Sequence, residues 1–249
     1  MNQLKFSKGS QNAKLKALGH SVYTFSLPSG WSCPGAKECL GKAVVDKLGK
    51  VHREDGRDMQ FRCFSASQEV AFPAVRKQRQ YNFELLQQAK GVTKMRDLIE
   101  SSLPSDASIV RVHVAGDLYN MDYFKAWIGV AINHPNVIFY AYTKSLNYWV
   151  KLIDLIPANL KLTASKGGRY DNLIQEHGLK YAEVVYSEQE ALDKGLDIDH
   201  DDRMAIWGTK SFALLIHGNQ KKGTIAAEAL RKLKGVGSYG KGNKSTASK

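Results

Sequence analysis

The chain has 249 residues, 43% of them hydrophobic, and a formal net charge of +12. That apolar content serves one large α/β core or two small ones without staples, and the three cysteines are an odd number that leaves no closed disulfide framework. The opening residues lack an apolar leader core and no apolar run approaches the ~20 residues of a membrane span, so the reading is a protein of a reducing cytoplasm with no membrane partner.

Residues 1–20 carry four Lys and no acid, and they read as a basic, weakly patterned N-terminal segment. Val22 to Leu27 is the first β-like run, and a Pro/Gly-rich loop follows it through Cys39. Ala43 to Val51 reads as a charged insert, Arg53 to Asp58 as a surface turn, and Met59 to Ser65 as a short strand carrying Cys63. A helix is expected over Gln68 to Lys90, with Pro73 in its first turn, and another over Val92 to Ser101.

Past Pro104 strands and helices alternate. Strands are expected at 109–114, 137–142, 160–164, 181–186 and 212–216, with helices at 121–132, 146–156, 170–177, 188–194 and 225–233. Asn120 is the N-cap of the first of these, and Ser187 with Glu190 forms a capping box. Residues 183–202 hold eight carboxylates against Lys194, and this stretch, with His200-Asp201-Asp202, reads as a solvated acidic surface. Residues 221–249 hold eight Lys or Arg against Glu228. Residues 235–249 read as a disordered tail of Gly, Ser and Lys, so the domain spans 21–234. Basic ends of this kind attract nucleic acid weakly, without sequence preference and with strong salt dependence.

Regular alternation calls for a parallel sheet with helical crossovers, either a β/α barrel or partial barrel with an N-terminal cysteine-bearing loop, or an open doubly wound sheet. In both, the residues just past each strand share one face. That face is expected to display His113, Gly116, Asp117, Thr143, Lys144, Ser165, Lys166 and His217. Asp117, Lys144 and His217 are the catalytic candidates. His113, Gly116, Asp117, Thr143 and Lys144 are the candidates for binding a small-molecule cofactor. Against this, His113 alternates with valines as a core histidine does, and Asp117 sits where a helix-capping carboxylate would. Tyr140, Tyr142, Tyr148, Trp127 and Trp149 read as packing residues.

Cys33 and Cys39 lie in a segment fixed by Pro28, Gly30, Pro34 and Gly35, which aims two sulfurs at one point. With Cys63 they make a metal or iron–sulfur anchor. Zinc would take a fourth ligand, with His52 or His20 on offer, whereas three cysteines alone suit a [4Fe-4S] cluster with one open iron.

Four blocks in order carry a family resemblance: Trp31-Ser32-Cys33-Pro34-Gly35-Ala36 with Cys39, then Cys63-Phe64-Ser65-Ala66, then Val110 to Asp117, then Phe139 to Ser145. They resemble the phage family called gene product eighty-eight, over most of residues 22–233. The resemblance implies a phage-encoded protein of the host cytoplasm. It also implies kinship of motif with barrel proteins that hold a [4Fe-4S] cluster on three cysteines, as radical S-adenosylmethionine enzymes do. A nucleotide or other small substrate, with S-adenosylmethionine as co-substrate, is the enzymatic expectation. The contrasting expectation is a zinc-stabilised binding protein whose basic ends engage nucleic acid or a host protein.

Overall fold

A computed structural model describes residues 2–18 and 21–233. Its strands are β1 (Ser7–Lys8), β2 (Val22–Thr24), β3 (Gly41–Val45), β4 (Val51–Asp55), β5 (Ile109–Val112), β6 (Ile138–Thr143), β7 (Leu160–Ser165), β8 (Tyr181–Val185), β9 (Asp197–Ile198) and β10 (Phe212–Leu215). The helices are α1 (Ala13–Lys16), α2 (Phe64–Ala71), α3 (Pro73–Gln88), α4 (Val92–Ser102), α5 (Met121–Asn133), α6 (Leu146–Trp149), α7 (Asn172–Glu176), α8 (Glu188–Asp193), α9 (Arg203–Ile206) and α10 (Ile225–Leu233).

Eight strands form one sheet in the order β1-β2-β5-β6-β7-β8-β10-β9, while β3 and β4 pair separately. Only β1 runs antiparallel to its neighbour; every other pairing in the large sheet is parallel. From β2 to β8 each strand lies beside the one before it in the sheet, without the reversal that creates the crevice of a doubly wound sheet. Among the described residues the sheet is open, ending at β1 and β9, each two residues long.

Alternation along the strands divides the core. Val110, Val112, Phe139 and Ala141 face Leu86, Ile99, Phe124 and Trp127 on α3, α4 and α5. The intervening Ile109 and Tyr140 join Val22 and Phe212 against Leu15, Leu18 and Ile206 from the segments of α1 and α9. The caps behave as their residues dictate: Asn120 Oδ1 accepts the Tyr123 N–H at 2.8 Å, and Ser187 Oγ accepts that of Glu190 at 3.0 Å. No helix among the described residues is long and apolar enough to cross a membrane.

Several expectations change. The N-terminal segment is built into the domain, with Leu4, Leu15 and Leu18 buried and β1 on the sheet edge. The charged insert is the β3–β4 hairpin. No strand forms at 59–65; Cys63 is instead the residue before α2. The long helix expected from Gln68 breaks at Phe72, whose φ of −123° and ψ of 96° are the extended geometry that a following proline imposes. The helix expected over 146–156 is a single α-turn followed by a 3-10 stretch, Val150–Leu155. The tail at 235–249 lies outside the described residues.

The acidic stretch holds the largest surprise. Asp202 is fully buried and left-handed, with φ of 64°, and Asp199 is buried beside it. The Asp202 carboxylate receives Lys14 Nζ at 2.6 Å, Arg111 at 2.6 Å, and the hydroxyls of Tyr140 at 2.8 Å and Tyr142 at 3.2 Å. Burial pushes this carboxyl up, but Arg111 and Lys14 outweigh it and hold it at about 2. A depressed carboxylate stabilises the fold above its unfolded value and stops doing so as pH falls through the folded one. Asp202→Asn should therefore cost about 3–5 kcal/mol at neutral pH, the scale of a broken buried ion pair. In denaturant melts it should also remove the part of the acid transition that lies between roughly pH 4 and pH 2.

Candidate functional site

The cysteine loop is stitched across the exits of several strands. Leu27 N–H donates to Ala115 O at 2.9 Å, past the end of β5. At the exit of β7, Glu38 N–H donates to Gly167 O at 3.0 Å and Arg169 N–H to Gly35 O at 2.9 Å, around a bridge between Ala36 and Gly168. Two glycines permit this proximity. A Cβ on Gly35 would overlap the Lys144 carbonyl, and one on Gly116, whose φ is 84°, would press on Ser32 and Leu27.

The loop is also tied to the helix that brings the third cysteine. Glu69 of α2 accepts both the N–H and the hydroxyl of Ser29 at 2.9 Å, and it pairs with Arg79 of α3 at 2.8 Å. Glu69 and Arg79 are both buried. Cys63 is the residue before the first turn of α2, where the backbone N–H groups of Ala66 and Ser65 pull its thiol pKa down against burial. The sulfur of Cys33 accepts the Gly30 N–H at 3.3 Å.

The three cysteines are unbridged and half-buried, and they lie within electrostatic reach of one another. Desolvation pushes the Cys33 thiol well up, with the charges of Asp117 and Cys63 adding to it. Desolvation likewise pushes Cys63 up to about 11, and Cys39 up against the opposing pull of Lys144. Among the described residues, no group of three or more His, Cys, Asp or Glu side chains is placed to hold a single metal ion. His52, one of the two histidines considered for zinc, sits in the hairpin 3.6 Å from Glu54, and His20 lies outside the described residues.

Asp117 and Lys144 converge beside this loop. The buried Asp117 carboxylate accepts from the Thr143 hydroxyl at 2.6 Å, Lys144 N–H at 2.8 Å and Leu118 N–H at 2.7 Å. Burial raises its carboxyl, and these bonds oppose the rise. Lys144 Nζ donates to Ser165 O at 2.7 Å, Ser165 Oγ at 3.0 Å and Lys166 O at 2.6 Å. Both side chains therefore serve as joints between strand exits. The His217 ring lies edge-on to Phe64, the residue after Cys63, at 5.0 Å, and its pKa is lowered to about 4 by desolvation first and then by Lys14 and Arg111.

His113 stands elsewhere. Its ring is buried near Phe25 and Tyr123, with Nε2 2.9 Å from the Tyr123 hydroxyl, and desolvation lowers it to about 3. The structure thus gathers Asp117, Thr143, Lys144 and Gly116 beside the cysteine loop, sets His217 against Phe64 of α2, and places His113 in the helix-covered core. Glu69 and Arg79 were missed, because a lone acid and a lone base ten residues apart across a helix break form no readable motif.

The family model described as Gene product 88 matches residues 2–234. The chain belongs to that family. No curated protein and no solved structure matches it. The Gene product 88 match covers the cysteine loop, the hairpin and every strand described above.

The glycine contacts yield a direct test. Gly35→Ala should force the loop away from Lys144 and destabilise the protein by about 1–3 kcal/mol, the scale of an overpacked core. Gly49→Ala, where a Cβ meets nothing but φ is 77°, controls for backbone effects. In urea melts the Gly35 variant should show the larger loss.

Proposed function

We propose that this member of the Gene product 88 family is a phage-encoded iron–sulfur protein of the host cytoplasm. Cys33, Cys39 and Cys63 would hold a [4Fe-4S] cluster at the carboxyl ends of a partial β/α barrel. The observation that carries this reading is the arrival of all three cysteines, two from a clamped loop and one from a helix start, in one partly buried place over the strand exits.

The donor set fits a cluster better than zinc. A tetrahedral zinc site needs four ligands at about 2.0–2.3 Å, and neither a fourth ligand nor so tight a grouping is present among the described residues. Three thiolates on several irons span a wider space and leave one iron open. The Gly30 N–H donated to the Cys33 sulfur is the kind of bond that sets a cluster's potential. The uninterrupted order of parallel strands from β2 to β8 favours a partial barrel.

When bound, such a cluster supplies an exchangeable electron and an open iron, the chemistry through which S-adenosylmethionine enzymes work. The chain's own residues would frame that ligand position. Asp117 fixes the exits of β5 and β6, Lys144 places positive charge near Cys39, and His217, edge-on to Phe64, offers a neutral imidazole at neutral pH. Nucleic-acid binding through the basic ends gains no support from the N-terminal segment, since Lys14 is committed to Asp202.

Anaerobic purification and reconstitution with iron and sulfide should give a brown protein with a broad absorption band near the visible edge. Cys33→Ala, Cys39→Ala and Cys63→Ala should each lose most of the iron. Gain of S-adenosylmethionine binding on reconstitution would identify the co-substrate. A colourless protein that takes up neither metal, or iron content unchanged in all three variants, would reject the cluster.

A further inference from the structure

We propose that the cleft between β2, the α2–α3 pair and the N-terminal segment binds a small hydrophilic monoanion, a carboxylate or phosphate that also carries a hydroxyl or amino group. The cleft is distinct from the cysteine site, and none of its walls is a cysteine.

Size sets the first limit. The cleft offers about 170 Å³, the liquid volume of roughly six waters. That is well below the ~300–1,000 Å³ of ordinary drug-sized pockets. A nucleotide is too large for it, while a molecule the size of an amino acid or hydroxy acid fits.

The lining chemistry sets the second. Thr24 and Ser26 come from β2 and its extension, Gln68 from α2, Gln78 and Arg79 from α3, and Lys8 from β1. Arg79, itself buried, directs NH2 to the Gln68 side-chain oxygen at 2.9 Å, so that oxygen is occupied and the Gln68 amide nitrogen is left as a donor. Of the carboxylates nearby, Glu69 points to Ser29 and balances Arg79, and Asp106, within electrostatic reach of Lys8, is held by the Tyr23 hydroxyl at 2.6 Å. Exposed Lys8 is the ammonium group at the opening.

A surface of hydroxyl, amide and ammonium donors selects a small acceptor-rich ligand of no more than one negative charge. Gln78 adds the complementary feature. Its amide nitrogen donates to Ser7 Oγ at 3.1 Å, which orients its carbonyl oxygen as an acceptor for a hydroxyl or amino group on the same ligand.

The position gives binding a consequence. Gln68 and Arg79 also hold α2, the helix that starts at Cys63, because Arg79 donates to Ser65 O at 3.0 Å. A ligand in the cleft therefore bears on the placement of the third cysteine without touching it.

The test titrates lactate and inorganic phosphate into the full-length protein, followed by amide chemical shifts and thermal melting. Glycerol serves as the uncharged control and ATP as the oversized one. Lactate or phosphate should give saturable millimolar binding, with shifts confined to residues around Ser26, Gln68 and Gln78, and the tighter of the two names the anionic group. Ser26→Leu, which fills the cleft, should weaken binding at least about tenfold. Lys8→Glu, an exposed change that leaves the fold intact, should weaken it roughly two- to fivefold and flatten its salt dependence.

No saturable response to either anion, an equal response to glycerol, or tighter binding of ATP at these residues would overturn the proposal. So would binding that neither variant alters. Because the measurement needs no iron, its failure leaves the cluster reading standing, and a colourless protein leaves this one standing.

Discussion

One buried carboxylate holds the cysteine region together. Glu69 takes the backbone and the hydroxyl of Ser29 from the loop and the guanidinium of Arg79 from the next helix. Inside a protein such a charge is tolerable only when it is met by donors, and here three short bonds converge on Oε1. Removing either ionic partner would strand the other in a poorly solvated place, which is why buried pairs are costly to break even where their formation adds little. The loop with Cys33 and Cys39, the helix start with Cys63, and the cleft wall at Gln68 and Arg79 all depend on this junction. It is placed by packing and covers no functional group itself.

A second charged centre does comparable work on the face of the sheet that carries Tyr140 and Phe212. Asp202 binds the N-terminal segment through Lys14, β5 through Arg111, and β6 through two tyrosine hydroxyls. The face of the sheet turned away from α3, α4 and α5 is therefore organised by polar bonds as well as by the smaller apolar cluster around Leu15 and Phe212. Specificity of arrangement is what such a centre adds, since an apolar plug would be free to slide while a carboxylate with four donors is not. The left-handed backbone at Asp202 is the strain accepted in that arrangement.

Much of the fold was legible because β-branched runs and helical spacing are local signals. The strands at Ile109, Ile138, Leu160, Tyr181 and Phe212 appear within a residue or two of their expected limits, as do α5 and α10. The convergence of Asp117, Thr143 and Lys144 was legible too, as it follows from parallel strands sharing one end. What was not legible depended on partners distant in sequence. The acids near position 200 looked solvated because nothing in a run of carboxylates announces that Lys14 and Arg111 will surround one of them. The strand-exit position of His113 points to the ligand face and its alternation with valines to the core; the core reading holds, with a φ of 69° that takes the residue out of the strand and a ring that meets Tyr123. The short strand expected at Met59 to Ser65, with Cys63 on or just after it, gives way to a helix start at Phe64 that makes Cys63 the residue before α2.

The clasp between Gln220 and Arg62 bears on how the site is assembled as the chain is made. Gln220 accepts the Arg62 N–H at 2.7 Å and returns a bond to Arg62 O at 3.3 Å, so the approach to Cys63 is secured by a residue beyond the last strand. At bacterial translation rates the ribosome takes roughly ten to thirty seconds to travel from the one position to the other. During that interval all three thiols are already outside the tunnel or entering it, on a loop whose final wall does not yet exist. The nascent chain thus passes through a stage in which its thiols are more open to oxidants than in the folded protein, and the clasp on the approach to Cys63 forms only after the last strand has been made.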